Sequence, residues 1–262
     1  MSSLHETIAM LAQDGEDYRI EAPELWAQGR TLFGGMTAAL SHGAIGRAYG
    51  DLGPLRSAQF SFIGPASGQL RFRPELLRRG RSSAVVGVDC WNEEGLAARS
   101  TFFFGAARES AVTHDYMKRL DVPPPEECEP FTRTSKPLTG FLARFETRLA
   151  AGSRILQPGN KPEFAVWARL RDGEGGDPVT ALLAFADCLP CAAWVDFPKP
   201  APVSTMSWTV DFHHPLPPSR GWHLIWSSSE AAAEGYSLQD MRVYNAAGEP
   251  LIAARQAVAI FA

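Results

Sequence analysis

The sequence predicts an α+β protein in which two antiparallel sheets, each wrapped around a central helix, are fused in tandem. A strand that ends in proline lies near the middle of each half, at residues 59–65 and again at 209–215. A turn that leads into Ala-Ala-Arg lies near the end of each half, at residues 92–99 and 245–255. Because both motifs recur in the same order about 150 residues apart, we interpret them as an internal duplication.

The first half is predicted to contain a strand, a buried helix and an antiparallel meander. Residues 18–26 form the strand and residues 29–35 form a glycine-rich loop. Residues 36–49 are small and apolar on almost every face, which is typical of an enclosed helix. Four strand-like runs follow, and the tight turn at 92–95 favours a hairpin between the last two: residues 55–63, 69–78, 82–91 and 96–104.

The second half repeats this order after an acidic, proline-rich segment. Strands are predicted at residues 141–149 and 164–170. Asp177 and Pro178 favour the start of a helix, since proline is tolerated in a first helical turn, and the apolar run continues to Pro190. Four strands close the chain, at residues 205–212, 223–231, 237–244 and 251–261. We therefore expect an N-terminal domain at residues 1–107, a linker at 108–136 and a C-terminal domain at 137–262.

Composition and charge narrow the classes of function. A net charge of −4 and a pI near 5.9 argue against general nucleic-acid binding. No run approaches the roughly 20 apolar residues of a membrane span, and the N-terminus lacks the pattern of a signal peptide. The four cysteines have no framework spacing, and Cys188 and Cys191 lack the second pair that a zinc site needs. We expect reduced packing thiols and a cytoplasmic protein.

Several motifs, taken in order, resemble the acyl-CoA thioesterase II family. Residues 33–35 (Phe-Gly-Gly) open the first buried helix, and a similar triplet precedes the N-terminal helix in that family. Asp187 lies on the second helix, Thr205 precedes an aromatic strand and Gln256 lies on the last strand. They resemble the family's Asp, Thr and Gln, which hold and activate the hydrolytic water. The resemblance implies a double hotdog fold.

Three positions depart from the family pattern. Met36 follows the double glycine where the family commonly has Gln. Ala257 and Val258 follow Gln256 in place of an acidic residue and Gly, and Ser207 replaces an aspartate. These departures leave the substrate preference and the catalytic efficiency open.

The chemistry that the resemblance implies is water activation by a carboxylate. Asp187 is the candidate base, since desolvation raises a carboxylate pKa, although a solvated aspartate at a helix end is the alternative. The Thr205 hydroxyl and the Gln256 amide can each hydrogen-bond the acid or its water. Backbone N–H groups at the start of the first helix are expected to face Asp187 and stabilise the oxyanion, and the candidates are Gly34, Gly35 and Met36.

Further side chains are expected to contact the acyl group and the coenzyme. The acyl pocket is expected to be lined by apolar residues of both helices and the adjoining strands: Phe33, Leu40, Phe185 and Trp208. A basic hairpin tip is either an ordinary solvated turn or a contact for the phosphates of coenzyme A: Arg78, Arg79 and Arg81.

The leading interpretation is hydrolysis of a fatty or other acyl-CoA to a free acid and CoA, with no metal or redox cofactor. A hotdog enoyl-CoA hydratase is one alternative, but none of the six histidines has an aspartate five residues upstream, as the Asp-x4-His pair of such enzymes requires. A non-catalytic acyl or CoA binding protein is another. The acyl chain, the choice of CoA or acyl carrier protein, and assembly as a homodimer or higher homo-oligomer are left open by the sequence.

Overall fold

The structure, a computed structural model, describes residues 2–134, 138–173 and 175–262. The helices are α1 (Leu4–Ala9), α2 (Gly34–Tyr49) and α3 (Pro178–Ala186). The strands of the first half are β1 (Ala12–Asp14), β2 (Asp17–Glu21), β3 (Ala27–Gln28), β4 (Thr31–Leu32), β5 (Leu55–Phe62), β6 (Gln69–Arg79), β7 (Ser83–Asn92) and β8 (Gly95–Gly105). Those of the second half are β9 (Glu129–Pro130), β10 (Phe145–Gly152), β11 (Glu163–Leu170), β12 (Val203–Phe212), β13 (His223–Ala233), β14 (Tyr236–Tyr244) and β15 (Pro250–Ile260).

One antiparallel sheet of 13 strands dominates the described chain, in the order β1-β2-β6-β7-β8-β5-β12-β15-β14-β13-β11-β10-β9. The order is symmetric about the central pair, which consists of the two proline-ended strands β5 and β12. Outward from β5 come β8, β7, β6 and β2, and outward from β12 come β15, β14, β13 and β11. Residues 57–61 of β5 pair with residues 207–211 of β12. The two predicted sheets are thus continuous, because β5 and β12, each an edge strand of its own half, hydrogen-bond to each other.

Helices α2 and α3 pack against each other in antiparallel orientation. Gly35, at the start of α2, lies against Ala184 near the end of α3. About two helical turns further along α2, His42 Nδ1 lies 2.8 Å from the hydroxyl of Thr180, near the start of α3. Both helices are largely buried, as predicted, and one hydrophobic core cluster contains residues of both halves. Asp177 caps α3 by accepting the Thr180 N–H, which confirms the predicted helix start.

The structure corrects several predicted boundaries. The strand predicted at residues 18–26 ends at Glu21, and a 3-10 turn at Glu24–Trp26 follows it. The turn places Trp26 in the core, where its indole N–H donates to the Thr7 hydroxyl at 3.1 Å. Likewise, residues 140–144 form a 3-10 turn before β10 begins at Phe145. In both places a tertiary contact overrides the local strand pattern.

The predicted linker at 108–136 has two parts. Residues 106–116 are exposed and have no regular structure. Further along, Lys118 and Pro123 accept hydrogen bonds from Tyr244 and Trp167, and β9 pairs with β10. This second part therefore packs on the outer surface of the second half. The boundary predicted between residues 136 and 137 lies outside the described residues.

Candidate active site

Asp187 lies at the C-terminal end of α3, on the helix face that packs against α2. Its Oδ2 accepts the backbone N–H of Gly35 at 2.7 Å, and its Oδ1 accepts the Gln256 amide at 2.7 Å. Gly35 belongs to the first half of the chain, whereas Asp187 and Gln256 belong to the second. The structure thus brings these three sequence-predicted residues together at the contact between the halves.

The start of α2 explains why a carboxylate lies here. Its N-cap residue is Phe33, whose side chain cannot accept a hydrogen bond from the free N–H groups of the first turn. Asp187 supplies that acceptor from the other half, and the positive end of the α2 dipole favours its negative charge.

The double glycine makes the approach of α3 sterically feasible. A Cβ on Gly34 would lie 2.7 Å from Asp187 Oδ2, and one on Gly35 would lie 2.9 Å from the Ala184 carbonyl oxygen. Real Cβ atoms do not approach other heavy atoms so closely, so any side chain at either position would push the helices apart. The glycines therefore allow the two helices to make close contact.

A chain of buried amides fixes the direction of the Gln256 side chain. Gln239 accepts the Ala192 N–H through Oε1 and donates through Nε2 to Gln256 Oε1 at 3.0 Å. Gln256 must therefore present its NH2 group, and not its oxygen, to Asp187. Gln239 and Gln256 are both almost fully buried, which shields the hydrogen bond between them from solvent.

Desolvation is the largest influence on the ionisation of Asp187. Burial raises its pKa to about 6, while the hydrogen bonds from Gln256 and Gly35 oppose the rise by favouring the ionised form. The residue keeps partial solvent exposure, so water can reach it. Each oxygen also keeps acceptor capacity beyond its one described hydrogen bond. A partly ionised carboxylate with this environment can act as a general base near neutral pH.

Two family models match the sequence and together account for most of it. The acyl-CoA thioesterase C-terminal domain matches residues 125–260, which is more than half of the chain, and the N-terminal domain of the same family matches residues 22–105. This chain belongs to the acyl-CoA thioesterase family. It is accordingly a thioester hydrolase. No match was found among curated proteins.

Solved structures show the same hotdog fold at low sequence identity. A hot dog fold protein of unknown function from Alicyclobacillus acidocaldarius is 22% identical, with a TM-score of 0.88 over 100% of this chain and 99% of that one. A protein from Thermobifida fusca described as a thioesterase II is 18% identical, with a TM-score of 0.86 over 100% of this chain and 98% of that one. The acyl-CoA thioesterase II TesB2 from Mycobacterium marinum is 20% identical, with a TM-score of 0.76 over 98% of each chain.

Thr205 of this thioesterase lies near Gln256 but makes no hydrogen bond to Asp187 in the described part of the chain. On β12 it pairs with Val258, two residues beyond Gln256 on β15, and a bulge separates it from Ser207. Residues directly opposite on neighbouring strands share a face, and residues two apart on one strand do as well. Thr205 therefore faces the same side of the sheet as Gln256, one row away.

The backbone donors of the thioesterase differ from those expected. The Gly35 N–H points at Asp187, but the Met36 N–H donates to the Phe33 carbonyl at 3.1 Å and does not face Asp187. Two of the three predicted oxyanion donors are therefore already bonded within the protein. The Gly34 N–H is the other donor of this turn, and the described residues provide no hydrogen-bond partner for it.

The predicted acyl-pocket residues do not surround one cavity. Phe33, Leu40, Phe185 and Trp208 are all buried in the core. Phe33 stacks on Phe141 at 4.6 Å between ring centroids, and Phe185 lines a cleft away from Asp187. Of the four, Trp208 is paired with a residue of the candidate site. It lies directly opposite Gln256 and stacks on Phe60 at 5.2 Å between ring centroids.

Two clefts of the described chain have volumes of about 460 and 390 Å³, and neither of these is lined by Asp187, Gly35 or Gln256. The larger one lies beside α3 and the smaller one lies between α1 and the C-terminal half of α2. The volumes of these clefts therefore do not identify the carboxylate as a site. We place the candidate site by its hydrogen-bonded groups instead, since a positioned base is what thioester hydrolysis requires.

The basic hairpin lies at the opposite end of α2 from Asp187. Tyr49, the last residue of α2, donates its hydroxyl to the Pro74 carbonyl at 3.1 Å, and the β6–β7 turn continues beyond that point. A helix of 16 residues is about 24 Å long, so the turn is far from Gly35. The three arginines of the turn are exposed: Arg78, Arg79 and Arg81.

All four cysteines are free and buried, and burial raises the pKa of Cys191 to about 11. Across residues 2–134, 138–173 and 175–262, no group of three or more His, Cys, Asp or Glu side chains could hold a metal ion. Among the same residues, no helix has the length and apolar character that crossing a membrane requires.

Gln239 and Phe62 also lie at the site, and the alternation of their strands marks both in the sequence. Gln239 occupies an inward position in the alternation of β14, where Ser237, Met241 and Val243 are also buried. A polar residue in such a row indicates a buried hydrogen-bond network. Phe62 continues the aromatic alternation of Phe60 on β5, and its ring lies 3.0 Å from where a Gly34 Cβ would be.

Proposed function

We propose that this thioesterase hydrolyses acyl-CoA with a water molecule that Asp187 activates. The observation that carries the proposal is the carboxylate itself, whose two oxygens are held by the Gly35 N–H and the Gln256 amide at 2.7 Å each. A thioester is already activated toward attack, so the protein needs to supply a positioned water, a base and oxyanion donors. In this proposal Asp187 takes a proton from water as the oxygen attacks the thioester carbonyl.

The remaining groups position the reacting atoms. Gln256 keeps a second amide N–H after donating to Asp187, and the Thr205 hydroxyl lies one row away on the same sheet face. We assign both to orienting the water. The Gly34 N–H, at the positive end of α2, is the proposed donor to the developing oxyanion. Collapse of the tetrahedral adduct breaks the C–S bond, and CoA leaves as the thiol after taking up a proton.

We propose that the substrate approaches from the side of the central strand pair. Trp208 lies directly opposite Gln256, and the Phe62 ring lies beside Gly34, which makes these two residues the candidate contacts for the acyl group. The arginines of the β6–β7 turn would contact CoA phosphates only if the coenzyme extends along α2.

We infer that the architecture is a double hotdog, with one copy at residues 1–107 and the other at residues 137–262. The symmetric strand order about β5 and β12 and the antiparallel helices support a duplicated unit. Only α3 ends in an acid, and Ser100 occupies the position after Ala-Ala-Arg that Gln256 occupies in the second copy. We therefore propose one water-activating centre per chain.

Substitution of the base tests the proposal. Asp187→Asn should lower kcat for acyl-CoA hydrolysis by about 10²- to 10⁴-fold, the range expected for loss of a general base. The assay follows release of free thiol over a panel of acyl-CoA chain lengths. Asp196→Asn is the matched control, because Asp196 also accepts a backbone N–H, from Gly159, but lies on the surface. Near-normal turnover of Asp187→Asn on every substrate would contradict the proposal.

A further inference from the structure

Ser219 and His223 form a hydrogen-bonded polar pair in the larger of the two clefts, on the side of α3 that faces away from Asp187. We call it the Ser219 cleft. It has a volume of about 460 Å³, and apolar side chains form most of its walls: Pro178, Ala181, Leu182, Phe185 and Leu216. This volume is within the range of small-molecule sites, roughly 300–1,000 Å³.

The Ser219 cleft is separate from the Asp187 centre. With 100° between successive residues of a helix, Thr180, Ala184 and Asp187 share the face of α3 that packs on α2. Residues 178, 181, 182 and 185 lie on the opposite face. A ligand in the cleft would thus be on the other side of α3 from the carboxylate.

The polar pair has the hydrogen-bond direction of a nucleophile and its base. The ring nitrogen Nδ1 of His223 lies 3.2 Å from the Gly221 carbonyl oxygen, which can only accept, so Nδ1 carries the proton. Nε2 is then an acceptor, and the Ser219 hydroxyl, 2.8 Å away, donates to it. His223 is held in place by burial and by the Phe185 ring, 4.3 Å away between centroids.

We propose that Ser219 is a nucleophile that accepts small apolar acyl groups from activated esters or thioesters, with His223 as its base. The Ser219 Oγ forms a bond to the acyl carbon while its proton passes to Nε2. The tetrahedral adduct expels the thiolate or phenolate, which takes the proton back from Nε2. Water then cleaves the acyl-serine ester and restores the hydroxyl.

The environment of His223 limits the class of acyl donor. Burial lowers the pKa of His223 to about 4, so the ring is neutral at pH 7 and Nε2 is available as an acceptor. The same shift makes the ring a weak base. Donors with good leaving groups, such as thioesters and nitrophenyl esters, therefore fit the cleft, whereas amides do not.

Labelling with an alkyl fluorophosphonate tests the site. Its P–F bond breaks as the Ser219 oxygen bonds to phosphorus, fluoride leaves, and mass spectrometry locates the added phosphonyl group. The wild-type chain should gain one group on Ser219, and Ser219→Ala should lower the labelling rate at least tenfold. Ser229→Ala is the matched control, because the Ser229 hydroxyl bonds to Ser237 and not to His223, and it should label like the wild type.

Two further variants keep the test decisive. His223→Gln removes the base and leaves the serine, so labelling should again slow at least tenfold. Asp187→Asn should lose acyl-CoA turnover yet still label at Ser219, which distinguishes failure of this proposal from failure of the proposed thioesterase mechanism. An unlabelled wild-type protein, or labelling that persists in Ser219→Ala, would overturn the assignment.

Discussion

Asp187 experiences two opposing influences at the scale of single residues. Enclosure by protein raises its pKa, while the Gly35 N–H and the Gln256 amide favour its ionised form. Both neighbours are donors, so the site suits a carboxylate rather than an amide. An asparagine here would direct its own NH2 group at one of the two donors. The arrangement thus favours an ionisable carboxyl group and sets its pKa near 6.

The pH dependence of the reaction follows from this pKa. As Asp187 must be ionised to accept a proton, kcat should rise with pH, reach half its maximum near pH 6 and level off above it. The contribution of Asp187 to folding stability changes with pH in the opposite direction to kcat. A carboxyl whose pKa is raised in the folded state favours folding below its unfolded pKa, and this contribution is lost as pH rises through about 6.

The two trends can be measured separately. A plot of kcat against pH gives the ionisation in the active enzyme. Denaturant unfolding of the wild type between pH 4 and 7 should show an added loss of stability, at most about 3 kcal/mol, that Asp187→Asn lacks. A kcat that does not change between pH 5 and 8 would contradict the role of Asp187 as the base.

Gln239 is predicted to act through Gln256. Gln239→Glu places an acceptor opposite Gln256 Oε1, so Gln256 should turn its NH2 group away from Asp187. Loss of that donor and the added negative charge should both raise the Asp187 pKa, moving the kcat midpoint upward by about one pH unit or more. The readout is the pH profile, which a purely structural residue would leave in place. Gln69→Glu, at an exposed position on β6, is the control and should keep the wild-type midpoint.

At the scale of secondary structure, the site depends on how closely α2 and α3 approach each other. Small residues line the contact, so the start of α2 can meet the end of α3 without intervening side chains. The free N–H groups of α2 then reach a carboxylate that follows α3. The same contact that packs the core therefore also forms the hydrogen bond between Gly35 and Asp187 at the candidate site.

Gly35→Ala should damage both packing and catalysis. Its Cβ would lie 2.6 Å from the Phe33 ring and 2.9 Å from the Ala184 carbonyl oxygen, so α2 and α3 must separate and the Gly35–Asp187 hydrogen bond must lengthen. We expect a loss of about 1–3 kcal/mol in the free energy of unfolding, and kcat at least tenfold lower. Gly46→Ala in the same helix is the control, because its Cβ meets nothing within 4 Å. There the substitution should stabilise α2 by about 0.5–1 kcal/mol with unchanged kcat.

At the scale of the whole molecule, the central strand pair makes the two halves one unit. The pairing of β5 with β12 continues the sheet from one half to the other, and the core beneath it contains residues of both. The proposed catalytic groups come from both halves of the chain, Gly34 from the first and Asp187 and Gln256 from the second. Covalent continuity through the exposed segment at residues 106–116 is therefore not what holds the site together.

Cleavage of that segment tests this view. A protease site inserted between residues 111 and 112 should be cut readily, because the surrounding chain is exposed and irregular. The two fragments should still elute together in size-exclusion chromatography, with kcat/KM within about twofold of the uncut protein, since the strand pair and the helix contact remain intact. Separation of the fragments without denaturant would show that the halves need the covalent connection.

Local patterns in the sequence predicted much of this architecture. The buried character of α2 and α3, the cap at Asp177 and the strands of both meanders follow from periodicity and capping rules over a few residues. Patterning failed at Trp26 and at residues 140–144, where a tertiary contact imposes a turn. Periodicity also did not predict β1, β9 or α1, because these elements are too short to show a periodic pattern.

The sequence by itself determined which residue types this thioesterase has for its chemistry and on which elements they lie. Only the tertiary structure decided which partners they meet, because the decisive hydrogen bonds join residues 152 and 69 positions apart. In the folded chain the Gly35 N–H donates to Asp187, and the Met36 N–H donates to the Phe33 carbonyl. Gln239 donates to Gln256. Each backbone donor can serve only the acceptor that packing brings within reach, and packing on that scale is a property of the folded chain.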